Sequence, residues 1–84
     1  MKNYQDLTAS EKILVALNES DIPLAIHEMQ IAGHSETALS ARTRELVRDG
    51  FISGKRREGK AFKEWEITDA GRMVVPAYRV AETV

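Results

Sequence analysis

The sequence predicts an α+β, mostly helical domain: a three-helix bundle with a C-terminal two-stranded β-hairpin. Three observations predict it. Apolar residues recur at helical spacing in three segments before residue 50, each opened by a capping residue or a proline. After Gly50 the apolar period drops to two. Gly59 then interrupts a polar run between two short alternating stretches, as a hairpin turn requires. Eighty-four residues suffice for one core and not for two, so residues 1–84 are read as one domain, with a body over about 8–73 and a tail over 74–84.

The first helix is opened by Thr8-Ala9-Ser10-Glu11, which fits a capping box. Ile13, Leu14 and Leu17 supply its apolar face, and Asn18-Glu19-Ser20-Asp21 ends it. A second helix is expected from Pro23, which suits a first helical position, with Leu24, Ala25, Ile26 and Met29 inward and Gly33 as terminator. Ser35 is the expected N-cap of the third, with Glu36 in its first turn; it runs to about Asp49 and stops at Gly50. Leu39, Thr43, Leu46 and Val47 share one face of that helix. Opposite them lie Thr37, Ala41, Arg44 and Arg48, with Ser40 and Glu45 at the edges.

Beyond Gly50, Phe51-Ile52 starts one strand, Glu58-Gly59 supplies turn chemistry, and Ala61, Lys63, Trp65 and Ile67 alternate with Phe62, Glu64 and Glu66 along the return. That alternation predicts that Trp65 packs the hairpin on the core. Thr68-Asp69 opens a last short helical segment that Pro76 interrupts.

Composition is that of an ordinary globular chain, 43% hydrophobic and 30% charged, with a net charge of -1. The chain has no cysteine, which excludes disulfides and thiolate metal sites and fits a reducing, cytoplasmic setting. No apolar run approaches the ~18 residues of a membrane span, so no membrane partner is expected. Charge is unevenly sorted. Residues 1–41 carry two Lys against six acids, a net of -4; residues 42–63 carry eight Lys or Arg against three acids, a net of +5; residues 64–84 return to -2. Four of those cations, Lys55, Arg56, Arg57 and Lys60, crowd the hairpin tip, which points to an anionic partner.

The element order, with a Gly-bounded third helix running into a basic hairpin, resembles the winged helix-turn-helix DNA-binding domain. The stretch from Leu39 through Arg44, Arg48 and Gly50 to Ile52 looks like the recognition helix and first wing strand of bacterial and phage regulators. Ile67-Thr68-Asp69-Ala70-Gly71-Arg72 is similar to the step that closes the wing in MarR-like and PadR-like members. Thr43 departs from the pattern, which has Ile or Leu there.

The resemblance implies double-stranded DNA as partner, with a recognition helix over about 36–49 in the major groove and a wing over about 51–67 on the backbone or in the minor groove. Thr37, Ser40 and Ala41 would approach base edges. Arg44 would read guanine or reach a phosphate, and Arg42 and Arg48 would take phosphates. Lys55, Arg56, Arg57 and Lys60 would form the cationic wing tip. A transcriptional regulator or a phage or plasmid accessory protein is the expected role. Two copies on two half-sites would strengthen weak single-domain specificity, and the only candidate dimer segment is Met73–Val80.

No catalytic grouping, phosphate-binding glycine loop or metal-ligand spacing is present, so neither enzyme activity nor a cofactor or metal is expected; His27 and His34 stand seven residues apart with no third ligand. The alternative is a winged helix used for protein contact without DNA. RNA is disfavoured because interleaved stacking aromatics are missing.

Overall fold

A computed structural model describes residues 2–56, 58–59 and 61–80. Its elements, in chain order, are β1 (Lys2–Asn3), a 3-10 turn (Tyr4–Asp6), α1 (Ala9–Glu19), a 3-10 helix (Ile26–Met29), α2 (Glu36–Arg48), β2 (Ile52–Arg56), β3 (Lys63–Ile67), α3 (Asp69–Arg72) and β4 (Tyr78–Arg79). Strands β2 and β3 form the expected antiparallel hairpin, pairing Ile52 with Ile67 at its base and Arg56 with Lys63 toward its tip.

Helix α1 forms as its capping box dictates. The Glu11 amide donates to the Thr8 hydroxyl at 3.2 Å, and the Thr8 amide donates to the Glu11 carboxylate at 2.9 Å. Its apolar face, with Ile13, Leu14 and Leu17, meets Met29, Ile31, Leu39, Leu46, Ile52, Trp65 and Ile67 in one core. The hairpin is therefore joined to the helical body through its own side chains.

The second expected helix does not start at Pro23. Leu24 pairs instead with Trp65 across two backbone bonds, donating at 2.9 Å and accepting at 2.8 Å. That pairing holds Leu24 extended beside β3 and delays helical backbone until Ile26, after the extended N-cap Ala25, whose amide donates to the Glu28 carboxylate at 2.8 Å. One 3-10 helix remains, closed by Gln30 in the left-handed region at φ 54°. Local propensity lost to a third strand-like segment on the hairpin sheet.

Helix α2 begins at its Ser35 cap, which accepts from the Ala38 amide at 3.1 Å. Thr43 is wholly buried, and its hydroxyl donates to the Leu39 carbonyl at 2.5 Å, so the departure from an aliphatic residue leaves no unpaired polar group. Val47, expected inward, is 39% exposed. At ~100° per residue it lies about 80° round from Leu39, whereas Leu46 lies within about 20°.

The junction between α2 and the hairpin is closely specified. Gly50, at φ 81°, donates to Val47 O at 3.0 Å, and Phe51 donates to Leu46 O at 2.9 Å, the two bonds of a Schellman termination. Thr68 closes the same corner from the other strand. Its amide donates to Phe51 O at 3.0 Å, its hydroxyl donates to Gly50 O at 2.7 Å, and the same oxygen accepts from the Gly71 amide at 3.1 Å to cap α3. Gly71 lies against the Phe51 carbonyl so closely that an added Cβ would overlap that oxygen. Higher on the hairpin, the Trp65 ring covers Gly54, where a Cβ would fall 2.5 Å from the ring. The tail folds back on the body: β4 pairs in parallel with β1, and the Tyr78 hydroxyl donates to Glu19 at 2.6 Å. That bond raises the Tyr78 pKa above its ordinary 10.0, with burial and the Glu19 charge adding to it.

Two outcomes follow from this packing. Gly71→Ala must displace the Phe51 backbone, and we expect a loss of about 1–3 kcal/mol, read as a fall in Tm of roughly 4–8 °C per kcal/mol; an unchanged Tm would show that the corner is loosely packed. The second concerns pH. The Thr8 amide holds the Glu11 pKa below its ordinary 4.5, aided by the Thr8 hydroxyl and the Lys2 ammonium and opposed by burial. A depressed carboxylate pKa gives stability that is present above 4.5 and lost as pH falls through the folded value. Thermal melts of Glu11→Gln and the parent should therefore converge as pH is lowered below 4.5, and a gap constant with pH would contradict the cap.

Candidate nucleic-acid interface

The outward side of α2 carries the side chains singled out in the sequence. Thr37, Arg42, Arg44 and Arg48 are exposed, while Ser40 and Ala41 are half-buried. On the hairpin, Lys55 and Arg56 are exposed; Arg57 and Lys60 lie outside the described residues. The turn between them includes Gly59, whose φ of 81° is one that side-chain-bearing residues rarely adopt.

Helix and hairpin meet in a shallow depression of about 270 Å³ that Ser40 and Glu36 of α2 share with Phe62, Lys63 and Trp65 of the return strand and with His27. Ser40 and Lys63 thus open onto the same space. The Lys63 ammonium lies 5.1 Å from the Trp65 ring centre, and the Phe62 ring meets His27 edge-on at 4.8 Å. Glu36 adds one carboxylate to this rim, opposing the Lys63 charge.

Several of the cations already have acidic partners. Arg42 donates to Glu45 at 2.9 Å, Arg48 lies 3.6 Å from Asp49, and Lys55 reaches diagonally across the hairpin to Glu66 at 2.9 Å. All these side chains are substantially exposed, where such pairs contribute only about 0–1 kcal/mol. A phosphate can replace those carboxylates at little cost. Among the described residues, Arg44 and Arg56 have no carboxylate partner. Glu45, the acid nearest the outward face, is engaged by Arg42.

Lys63, Phe62 and His27 were not among the residues expected at this site. Strand alternation put Lys63 in the row of Trp65, and a lysine in that row must leave the core where the row reaches solvent; that signal was available. His27 was not legible, because its position depends on the 3-10 helix that replaced the expected second helix. His34 turns toward α1, where the buried Lys12 ammonium donates to its Nε2 at 3.3 Å.

No family model matches the chain, and no curated protein does. Among solved structures the chain is similar to SSV1 F-93, with a TM-score of 0.61 and 16% identity, over 81% of this chain and 79% of that one. The fold is a winged helix. The hairpin is its wing, and α2 is the helix that leads into it. No helix among the described residues is long and apolar enough to cross a membrane.

The Lys55–Glu66 pair gives the charge of the hairpin a direct electrostatic test. Glu66→Gln releases Lys55 and removes a negative charge, so the variant should elute from a heparin column at higher salt than the parent. Identical elution would show that Lys55 adds nothing to polyanion binding by the hairpin.

Proposed function

We propose that the protein binds double-stranded DNA through α2 and the wing together, as a small transcriptional regulator or a phage or plasmid accessory protein. The observation that carries this reading is the shared depression at Ser40 and Lys63, with the exposed Arg44 about one turn along α2 from Ser40 and the exposed Arg56 paired with Lys63 across the hairpin. A helix of ~10–12 Å diameter fits the major groove, where base edges can be told apart. Thr37, Ser40 and Ala41 face base edges in this arrangement, the hydroxyls donating or accepting and the methyl touching thymine. Arg44 reads guanine or takes a phosphate. Arg42, Arg48, Lys55, Arg56, Arg57 and Lys60 neutralise the backbone, the first three by exchanging a carboxylate for a phosphate.

The corner built by Thr68 and Gly71 supports a finer assignment to the MarR-like and PadR-like type, whose wing-closing step the sequence resembles. In this reading the protein is a binding module and not an enzyme. Two copies on adjacent half-sites would add the base contacts that one domain lacks, each good contact contributing ~1–3 kcal/mol of discrimination.

Binding to a random-sequence duplex, measured against salt, tests the reading. With about five of these cations on phosphates at once, log K should fall with log salt at a slope of roughly -4 to -5. Replacing Arg56 and Arg57 together by Ala should flatten that slope by about two and weaken all sequences alike. Thr37→Ala should instead alter sequence preference. Undiminished duplex binding by the double variant at low salt would remove the wing from the interface. Absence of binding by the parent, with a discrete protein complex in its place, would favour the protein-contact alternative.

A further inference from the structure

Beside α1, β4 and the 3-10 segments border a second cavity, an open groove of about 470 Å³. That volume lies in the range of small-molecule sites, ~300–1,000 Å³. Val15, Leu24 and Met29 line it with apolar surface, and Tyr4, Tyr78 and Glu19 supply polar and aromatic walls. The Tyr4 and Tyr78 rings stand 5.4 Å apart at 57°. Glu19 accepts the Tyr78 hydroxyl on one carboxylate oxygen, Oε1, which leaves the second to face another donor or charge. Among the described residues no Lys, Arg or His lines this groove.

Those features select a ligand by charge. An anion meets an uncompensated carboxylate. A neutral apolar molecule would strip water from that carboxylate without replacing its lost interactions, which is unfavourable. A cation with an apolar body satisfies both halves: its body covers Val15, Leu24 and Met29, while its charge lies beside Glu19 and against an aromatic ring. Tyr4 already shows the ring chemistry within the fold, since the Lys12 ammonium lies 5.5 Å from its centre. Tyr78 and Glu19 are the groups that remain for a ligand. We propose that this groove is a binding site for a small lipophilic cation of the quaternary ammonium or phosphonium class. The site is separate from the proposed DNA face and does not depend on it.

The test titrates tetraphenylphosphonium into the full chain by calorimetry at low salt, with neutral triphenylphosphine oxide as comparison. The account expects saturable one-to-one binding of the cation and at least fivefold weaker binding of the neutral compound. Glu19→Gln should weaken the cation about five- to tenfold. Tyr78→Leu, which keeps the charge and removes the ring, should weaken it about fivefold. Asp21→Asn removes an equal charge two residues away, at a position outside the groove lining, and should change affinity less than twofold. Thermal melts confirm that each variant is folded. Absence of saturable binding at millimolar phosphonium overturns the proposal, as does equal affinity for the neutral compound. Equal losses in Glu19→Gln and Asp21→Asn overturn it too, because they would mark diffuse attraction to an acidic surface. Failure of DNA binding leaves each of these outcomes unaffected.

Discussion

Thr68 bonds to both parts of the proposed interface. Its hydroxyl donates to Gly50 O at the end of α2, its amide donates to Phe51 O at the start of the hairpin, and the same hydroxyl oxygen caps α3. With Gly50 in the left-handed conformation and Gly71 pressed against the Phe51 carbonyl, these bonds fix the direction in which the chain leaves the helix. Everything proposed for nucleic acid depends on that direction. A hairpin free to swing about Gly50 would carry its cations independently of the helix, and the ordering entropy would be charged against each binding event. A hairpin fixed by backbone bonds and by Trp65 in the core arrives with that cost already met in folding.

The near-neutral total charge is reconciled with an anionic partner by sorting and by weak internal pairing. The segment with net +5 contains α2 from Arg42 onward and most of the hairpin, whereas the segment with net -4 contains α1. Arg42, Arg48 and Lys55 rest against Glu45, Asp49 and Glu66 in exposed pairs. Such pairs lower the local field without blocking these cations, since exposed pairs are only marginally stable. The lipophilic-cation groove belongs to the acidic half, next to Glu19. One small domain thereby presents two surfaces of opposite electrostatic character.

Much of this was legible in the sequence, for identifiable reasons. The Thr8–Glu11 box, the Ser35 cap, the Gly50 stop and the Thr68 cap are local chemistry, fixed within a few residues, and each formed where the residues predicted. Trp65 was legible because strand alternation forces its row onto one face. The second helix is replaced because its competitor is distant in sequence: Leu24 bonds to Trp65, forty-one positions later, and no local signal at Pro23 reports that pairing. For the same reason the parallel pairing of β1 with β4, and the groove it borders, could not be read from either end alone. At the candidate site, wheel geometry placed Thr37, Arg44 and Arg48 outward, while the meeting of Ser40 with Lys63 required the tertiary fold. Val47 marks the limit of wheel reasoning, which gives a direction but not how far the core extends along the helix.

In the proposed complex, one rigid corner presents the outer side of α2 and the wing to a single duplex at once. Backbone amide chemical shifts recorded during titration with a short DNA duplex at low salt test it most directly. Concerted shifts, with one common affinity, are expected at Thr37, Ser40, Arg44, Arg56 and Lys63, with little change at Val15, Glu19 and Tyr78. Shifts confined to α1 and the chain ends, or helix and wing responding with separate affinities, would contradict it.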